Sequence, residues 1–381
     1  MQPFQINVSQ EILDDLQTRL GNTRWPDDLT DTGWQYGTDP DYLRQLIQYW
    51  QTGFDWRSQE KALNQFANYR TDVDGYGLHL INERGKGNNP MPLLLSHGWP
   101  DSFYRFSKLI PLLTDPVAHG GSAEDAFDVI VPSLPGFGFS DKLQKTGNYN
   151  QWTSNLFNKL MTSTLGYEQY GAHGGDVGSG ITEALAMLHP DSLTGIHLID
   201  VPYWRLFATK PDELSEPEKK YLQDGQQWQM QEGAYAMQQS TKPQTLAYGL
   251  TDSPVGLAGW IVEKFFAWSD TRGQIENSYT KDELLTNIMI YWATGTIRSS
   301  FTPYWDDKQQ STEGELPKVA VPTGITIFPK DIVSAPRAFA ERFYNVQHWA
   351  EMPQGGHFAA LEEPELLAEE LRTFFRPLRN R

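Results

Sequence analysis

Four short apolar runs recur along the chain, at residues 93–95, 129–131, 197–199 and 324–328, each of a length that suits a buried strand. Between them the apolar residues shift to helical spacing. Phe103, Phe106, Leu109, Ile110 and Leu113 predict one helix; Ile181, Ala184, Leu185 and Leu188 predict another that begins near Ser179 and ends before Pro190. Strands that are apolar throughout, alternating with amphipathic helices, constrain the chain to an α/β fold whose mostly parallel sheet is flanked by helices. In such sheets ligands bind beyond the carboxyl ends of the strands, so the chemistry is sought just after each run.

The alternation is interrupted twice. Residues 1–75 read as an N-terminal extension with two helical faces, Ile12, Leu13, Leu16, Leu20 and Leu43, Leu46, Ile47, Trp50, joined by a polar connector over 21–41. Those apolar faces need a surface to cover, and the extension is expected to pack on the body. Residues 203–316 are rich in Gln, Trp, Tyr and Met, show only helical spacing (Ile261, Val262, Phe265, Phe266; Leu284, Leu285, Ile288, Met289, Trp292), and read as a helical insertion. Strand runs resume at 319–328 and 346–349, and a last helix is predicted over Pro364–Phe375. The body is thus expected in two parts, 76–202 and 317–381.

Composition narrows the partners. A net charge of −17 opposes binding to nucleic acid or anionic lipid. The absence of Cys removes disulfides, thiolate catalysis and zinc–thiolate sites. The first twenty residues lack a basic, then apolar, leader pattern, and no apolar stretch approaches the ~18 residues of a membrane span, so an unanchored cytoplasmic protein is expected. Aromatic residues make up 13% of the chain, a composition that suits a deep pocket for a mostly apolar ligand as well as a large core.

The segment Gly174-Gly175-Asp176-Val177-Gly178 has the small-x-nucleophile-x-small spacing of a sharp strand-to-helix elbow. Glycines on both sides let the central residue adopt a strained backbone while its neighbours pack closely. With Asp at the centre, a carboxylate is presented that can displace at an sp3 carbon and form an ester, whereas a serine alkoxide suits acyl carbons. A capping Asp before a helix is the structural alternative. His97-Gly98-Trp99-Pro100 follows the run at 93–95, so the Trp99 and Val177 N–H groups form a candidate oxyanion hole. Of eight histidines, His357 in Gly355-Gly356-His357-Phe358 lies after the last strand run and before the last helix, the place for a base. His197 and His348 read as strand or core residues, and His79, His119 and His189 as surface or terminal ones. His173, three residues before Asp176, raises a metal pairing, but no further ligands stand at metal spacing and no metal is expected. Asp331, after the run at 324–328, is the preferred acid to orient the imidazole; Asp200, also at a strand end, is its competitor.

These motifs, with Thr23-Arg24-Trp25-Pro26, Ser240-Thr241-Lys242-Pro243, Asp252-Ser253-Pro254-Val255-Gly256-Leu257 and Tyr291-Trp292-Ala293-Thr294-Gly295-Thr296, resemble over nearly the whole chain the epoxide hydrolases of the α/β-hydrolase fold, in the microsomal-type subfamily with an N-terminal extension. The order nucleophile, acid, histidine fits that fold. The resemblance implies an N-terminal meander, a helical cap at 203–316, and two cap tyrosines that hold and protonate the epoxide oxygen, carried over to Tyr235 and Tyr304. It implies hydrolysis of a small-molecule epoxide to a vicinal diol through an ester on Asp176, with no cofactor; the aromatic residues between 203 and 305 suggest a substrate that is bulky or aryl. A homodimer is left open. Two rivals remain at this point: a haloalkane or haloacetate dehalogenase using the same nucleophile, although Val177 stands where such enzymes often place Trp, and a non-catalytic ligand-binding protein of the same fold.

Overall fold

The computed structural model describes residues 1–29, 31–202, 205, 209–310 and 318–379. Nine strands form one sheet: β1 Gln2–Pro3, β2 Asn68–Val73, β3 Tyr76–Glu83, β4 Met91–Ser96, β5 Phe127–Pro132, β6 Tyr170–Gly174, β7 Leu193–Leu198, β8 Val319–Ile327 and β9 Tyr344–Glu351. Their order is β1-β2-β3-β5-β4-β6-β7-β8-β9. The pairs from β1 to β5 are antiparallel and those from β5 through β4 to β9 are parallel. The inner strands are largely buried because helices cover both faces; every residue of Phe127–Pro132 is buried. Glycines at Gly171 and Gly324 leave room for Phe375 and Phe374 of the last helix, Pro364–Phe375, to lie directly on the strands.

The register brings separated segments together. Ser96 pairs with Gly174 at the adjoining ends of β4 and β6, so the turn after β4 lies against the elbow after β6. The strands β8 and β9 are neighbours, which places the loop carrying Asp331 beside the loop carrying His357, joined by a bridge between Lys330 and Gly356.

Several expectations are refined. The helix after the elbow starts at Val177, two residues before the predicted start, because Asp176 itself caps it. The stretch from Phe103 is two pieces, a short 3-10 turn Phe103–Phe106 and a helix Leu109–Thr114. His79 is not a surface residue: it is buried in β3, with its ring nitrogens 2.8 Å from the Ser133 hydroxyl and 3.0 Å from the Asn68 side-chain oxygen. Its strand is flanked by β2 and β5, and the N-terminal residue Phe4 packs on the imidazole edge.

The N-terminal segment does two things. The strands β1 and β2 extend the sheet, while the helices Gln10–Gly21 and Pro40–Thr52 lie on helices of the 203–316 stretch. Trp34 stacks on Phe266 at 4.0 Å, the Tyr49 hydroxyl donates to Asp282 at 2.9 Å, and the Thr38 hydroxyl donates to the Gly259 carbonyl at 2.6 Å. The described part of that stretch is helical, as its spacing predicted; the limits drawn for it, at 203 and 316, lie outside the described residues. Among the described residues no helix is long and apolar enough to cross a membrane.

Candidate active site

The elbow after β6 is tight. Asp176 has φ +56° and ψ −129°, a conformation that costs an L-residue of order 1–3 kcal/mol and persists only where the surroundings enforce it. A Cβ on Gly174 would stand 2.1 Å from the Gly178 carbonyl oxygen, and one on Gly178 would stand 2.1 Å from that of Ser96. Gly174 and Gly178 therefore serve close backbone approach rather than turn flexibility.

The two carboxylate oxygens of Asp176 are held differently. Its Oδ1 accepts from the Trp99 N–H at 2.8 Å and the Val177 N–H at 2.7 Å, the two groups expected as oxyanion donors. Its Oδ2 lies 3.3 Å from Nε2 of His357, a nitrogen that is buried and makes no hydrogen bond. The other ring nitrogen, Nδ1, is 2.6 Å from Asp331 Oδ1, which orients the imidazole. Burial alone would lower the basicity of His357, but the carboxylates of Asp331 and Asp176 outweigh it and lift the imidazole to about 10. Asp200, the competing acid, instead accepts from the Val201 N–H at 2.7 Å, and at a longer 3.5 Å from that of Ala335. Burial, then the nearby Asp331, pushes the Asp200 carboxyl well up.

Two charged residues that the sequence reading passed over set this geometry. Asp101 accepts from the Gly98 N–H at 2.8 Å and pairs with Arg105, and the Arg105 guanidinium also donates to the His357 carbonyl. Both are buried, and they link the turn after β4 to the loop after β9. Their spacing of four, directly after a strand end, was the available signal; charged pairs at that spacing are usually solvated helix surface. The His357 N–H donates to the Trp268 carbonyl at 2.8 Å, and the Trp268 ring lies edge-on to the imidazole at 5.3 Å.

Tyr235 and Tyr304 come together from separate helices, Ala234–Thr241 and Thr302–Gln309, with ring centroids 5.8 Å apart. The Trp99 ring stacks on Tyr235 at 5.2 Å and meets Tyr304 edge-on at 5.9 Å. Burial, then the neighbouring Tyr235 and Asp176, pushes the Tyr304 phenol well up, which keeps it a donor at neutral pH. Both tyrosines line a cavity of about 270 Å³ together with Asp176, His357, Asp331 and Asp200. A larger cleft, about 500 Å³ around Asn88 and Arg376 at the opposite strand ends, has no histidine in its lining. His173 does not turn to Asp176; its Nδ1 is 3.1 Å from that of His197, in the core, and burial pushes both imidazoles down. Among the described residues no group of His, Asp and Glu is arranged to hold a metal ion.

Two family descriptions match, the epoxide hydrolase N terminus over residues 1–106 and the alpha/beta hydrolase fold over 91–246. A protein of Stigmatella aurantiaca, provisionally named an epoxide hydrolase, is 46% identical over 99% of this chain and 85% of its own length. Epoxide hydrolase 1 of Sus scrofa is 39% identical over 98% of this chain and 88% of its own. Among solved structures, the juvenile hormone epoxide hydrolase from the silkworm Bombyx mori superposes with a TM-score of 0.85 at 30% identity, covering 99% of this chain and 94% of that one.

Proposed function

This chain belongs to the epoxide hydrolases of the α/β-hydrolase fold, and from that premise we propose that it adds water to its epoxide in two steps through a covalent ester on Asp176. The observation that carries this reading is the inequality of the two Asp176 oxygens: Oδ1 is fixed by two N–H donors, and Oδ2, held by neither, lies 3.3 Å from His357 Nε2 in a residue that lines the same cavity as Tyr235 and Tyr304. In the first step Oδ2 attacks a ring carbon and the ring C–O bond breaks. Tyr235 or Tyr304 gives its proton to the released oxygen, and a hydroxy-ester and a phenolate result.

The second step needs a neutral imidazole, and the first step supplies it. Esterification cancels the Asp176 charge, one of the two that hold the proton on His357. The proton then passes through solvent to the phenolate. The freed Nε2 deprotonates a water that attacks Cγ of Asp176, and the charge that gathers on Oδ1 is met by the Trp99 and Val177 N–H groups. The Cγ–Oδ2 bond breaks, the diol leaves with the proton from His357, and the regenerated carboxyl returns its own proton to the imidazole. Atoms and charges close on the starting state. Asp331 orients the ring throughout, and no step requires a cofactor.

The cavity favours an aryl substrate. At about 270 Å³ it is at the small end of ligand pockets, and Trp228, Tyr235 and Tyr304 in its wall fit a single ring with a short chain. The dehalogenase alternative loses ground, since the relatives are epoxide hydrolases and two tyrosines line the same cavity as Asp176. The test is a trapping experiment with a His357→Gln variant and styrene oxide, followed by digestion and mass spectrometry. The peptide containing Asp176 should gain the mass of the epoxide. Diol formation by the wild type with no adduct ever found on that peptide would refute the covalent route.

A further inference from the structure

The two phenols of the cavity stand in unlike electrostatic surroundings. Lys264, in the last turn of the helix Pro254–Ala267, is buried, with 6% of its surface exposed. Its ammonium lies over the Tyr235 ring, 5.0 Å from the centroid, and over the Trp268 ring at 5.6 Å. Two carboxylates accompany it, Glu263 Oε2 at 2.5 Å and Glu232 Oε2 at 3.6 Å, on side chains 23% and 34% exposed. Both are more open to water than the ammonium, so the ring feels the cation with less screening. Tyr304 has no such companion. Among the described residues no cation lies over its ring, and burial, then Tyr235 and the Asp176 charge, pushes its phenol well up.

A buried ammonium is costly to keep, and Lys264 does not line the cavity, so its placement calls for a reason other than contact with substrate. The ring beneath it supplies one. A cation over an aromatic ring is held by the negative face of that ring. When the hydroxyl loses its proton, negative charge spreads over the ring and the attraction strengthens. Lys264 therefore favours the phenolate of Tyr235 over its phenol. An interaction that strengthens while the proton leaves lowers the barrier rather than merely tightening binding. The Trp99 ring, stacked on Tyr235 at 5.2 Å, fixes the plane of the phenol without adding charge.

We propose that Lys264 is a positioning residue that makes Tyr235, rather than Tyr304, the phenol that gives its proton to the opening epoxide. The inference rests on the epoxide hydrolase reading and deepens it by dividing the roles of the two tyrosines. As the ring C–O bond breaks, the Tyr235 hydroxyl gives its proton to the released oxygen and keeps the electron pair, and the new phenolate forms beneath the ammonium. Tyr304 holds the same oxygen by a hydrogen bond and keeps its proton. Lys264 neither gives nor takes a proton.

The experiment separates the two half-reactions with styrene oxide, following ester formation by stopped-flow tryptophan fluorescence and ester hydrolysis by quenched single turnovers. Lys264→Met should slow ester formation about tenfold, a part of the roughly 10²–10⁴-fold that a positioned acid supplies, and leave ester hydrolysis unchanged. Lys264→Arg, which keeps the cation, should restore most of the rate. In a Tyr304→Phe background the loss should persist, whereas in a Tyr235→Phe background it should fall below about twofold. Tyr235→Phe should itself slow ester formation more than Tyr304→Phe does, a comparison that needs no lysine variant to fold. Equal losses in the two backgrounds overturn the proposal, since that is the mark of a structural role. So does a loss confined to hydrolysis, which would put the effect on His357 by way of Trp268, whose N–H donates to the Lys264 carbonyl at 3.0 Å. A greater loss from Tyr304→Phe reverses the assignment and overturns it too. All three results leave the hydrolase reading standing, because diol still forms; a wild type that forms no ester at Asp176 overturns both.

Discussion

Asp176, the proposed nucleophile, is held by its neighbours' lack of side chains as much as by bonds. A Cβ on Gly98 would stand 2.4 Å from both Cβ and Oδ1 of Asp176, in a turn that Asp101 holds by its N–H, so neither partner can yield without displacing the carboxylate from its two donors. Gly98→Ala should therefore lower kcat by about 10²-fold, the scale of an ångström-sized misplacement at a reacting atom, while the circular dichroism spectrum stays native. Wild-type turnover in that variant would show that the turn gives way. His357 supplies a second test through pH. Its folded pKa lies above that of a free imidazole, so its ion pairs stabilise the fold fully below about 6.5 and lose that contribution as pH rises through about 10. The gap in Tm between wild type and His357→Gln should accordingly shrink from pH 7 to pH 10, and a gap that widens would contradict the assignment.

At the scale of elements, the helix Glu216–Glu232 is tied to the body through one carboxylate. Glu218 is buried; it closes a capping box with Ser215 and pairs with Arg342 of the helix Arg337–Phe343. The hydrogen bond from Arg342, working against burial, holds the Glu218 carboxyl down at about 2. The stabilisation is present above about 4.5 and is lost as pH falls through about 2. Arg342→Met should cost about 1–2 kcal/mol at neutral pH, less than a fully buried pair because the guanidinium is partly exposed, and thermal denaturation measures it. An unchanged Tm at pH 7 would remove the tether from the account. The inner strands β4, β5, β7 and β8 and the last helix were legible in the sequence because burial leaves short apolar runs and helical spacing; β6, Tyr-Gly-Ala-His-Gly, has no such run and was marked only by the elbow that follows it. The strand β2, Asn-Tyr-Arg-Thr-Asp-Val, was not: it lies near the sheet edge, where only its ends are buried and nothing in its pattern separates it from loop. The same ambiguity hid His79, whose burial depends on β2 and β5 arriving from elsewhere. Asp176, His357, Asp331 and the two N–H donors stood at strand ends and could be picked out there; Asp101 and Arg105 could not, since charges four residues apart read as solvated until their surroundings are known.

Across the whole molecule, the N-terminal segment is connected to His357, the proposed base, through the insertion. Trp34 stacks on Phe266, two residues on the Trp268 carbonyl accepts the His357 N–H, and the Trp268 ring packs against the imidazole. The segment begins on the sheet at β1, passes over the helices Pro254–Ala267 and Lys281–Thr294, and returns to the sheet at β2. Trp34→Ala should lower stability by about 2 kcal/mol, less than a fully buried Trp because the ring is half-buried. It should also reduce kcat several-fold although no part of Trp34 lines the cavity. Lost stability with an unaltered kcat would mean that the segment braces the fold and nothing more.

The unequal grip on the two Asp176 oxygens also has an isotopic meaning. In the proposed route the oxygen delivered to the first diol comes from the protein, and water replaces it in the carboxylate. A single turnover in oxygen-18 water should give unlabelled diol. From the second turnover onward the label depends on whether the side chain rotates between cycles. With Oδ1 fixed at 2.8 Å and 2.7 Å by two N–H groups, the incoming oxygen stays in the attacking position, and the second diol should be almost fully labelled rather than half labelled. The label in successive products would then time the rotation of one carboxylate.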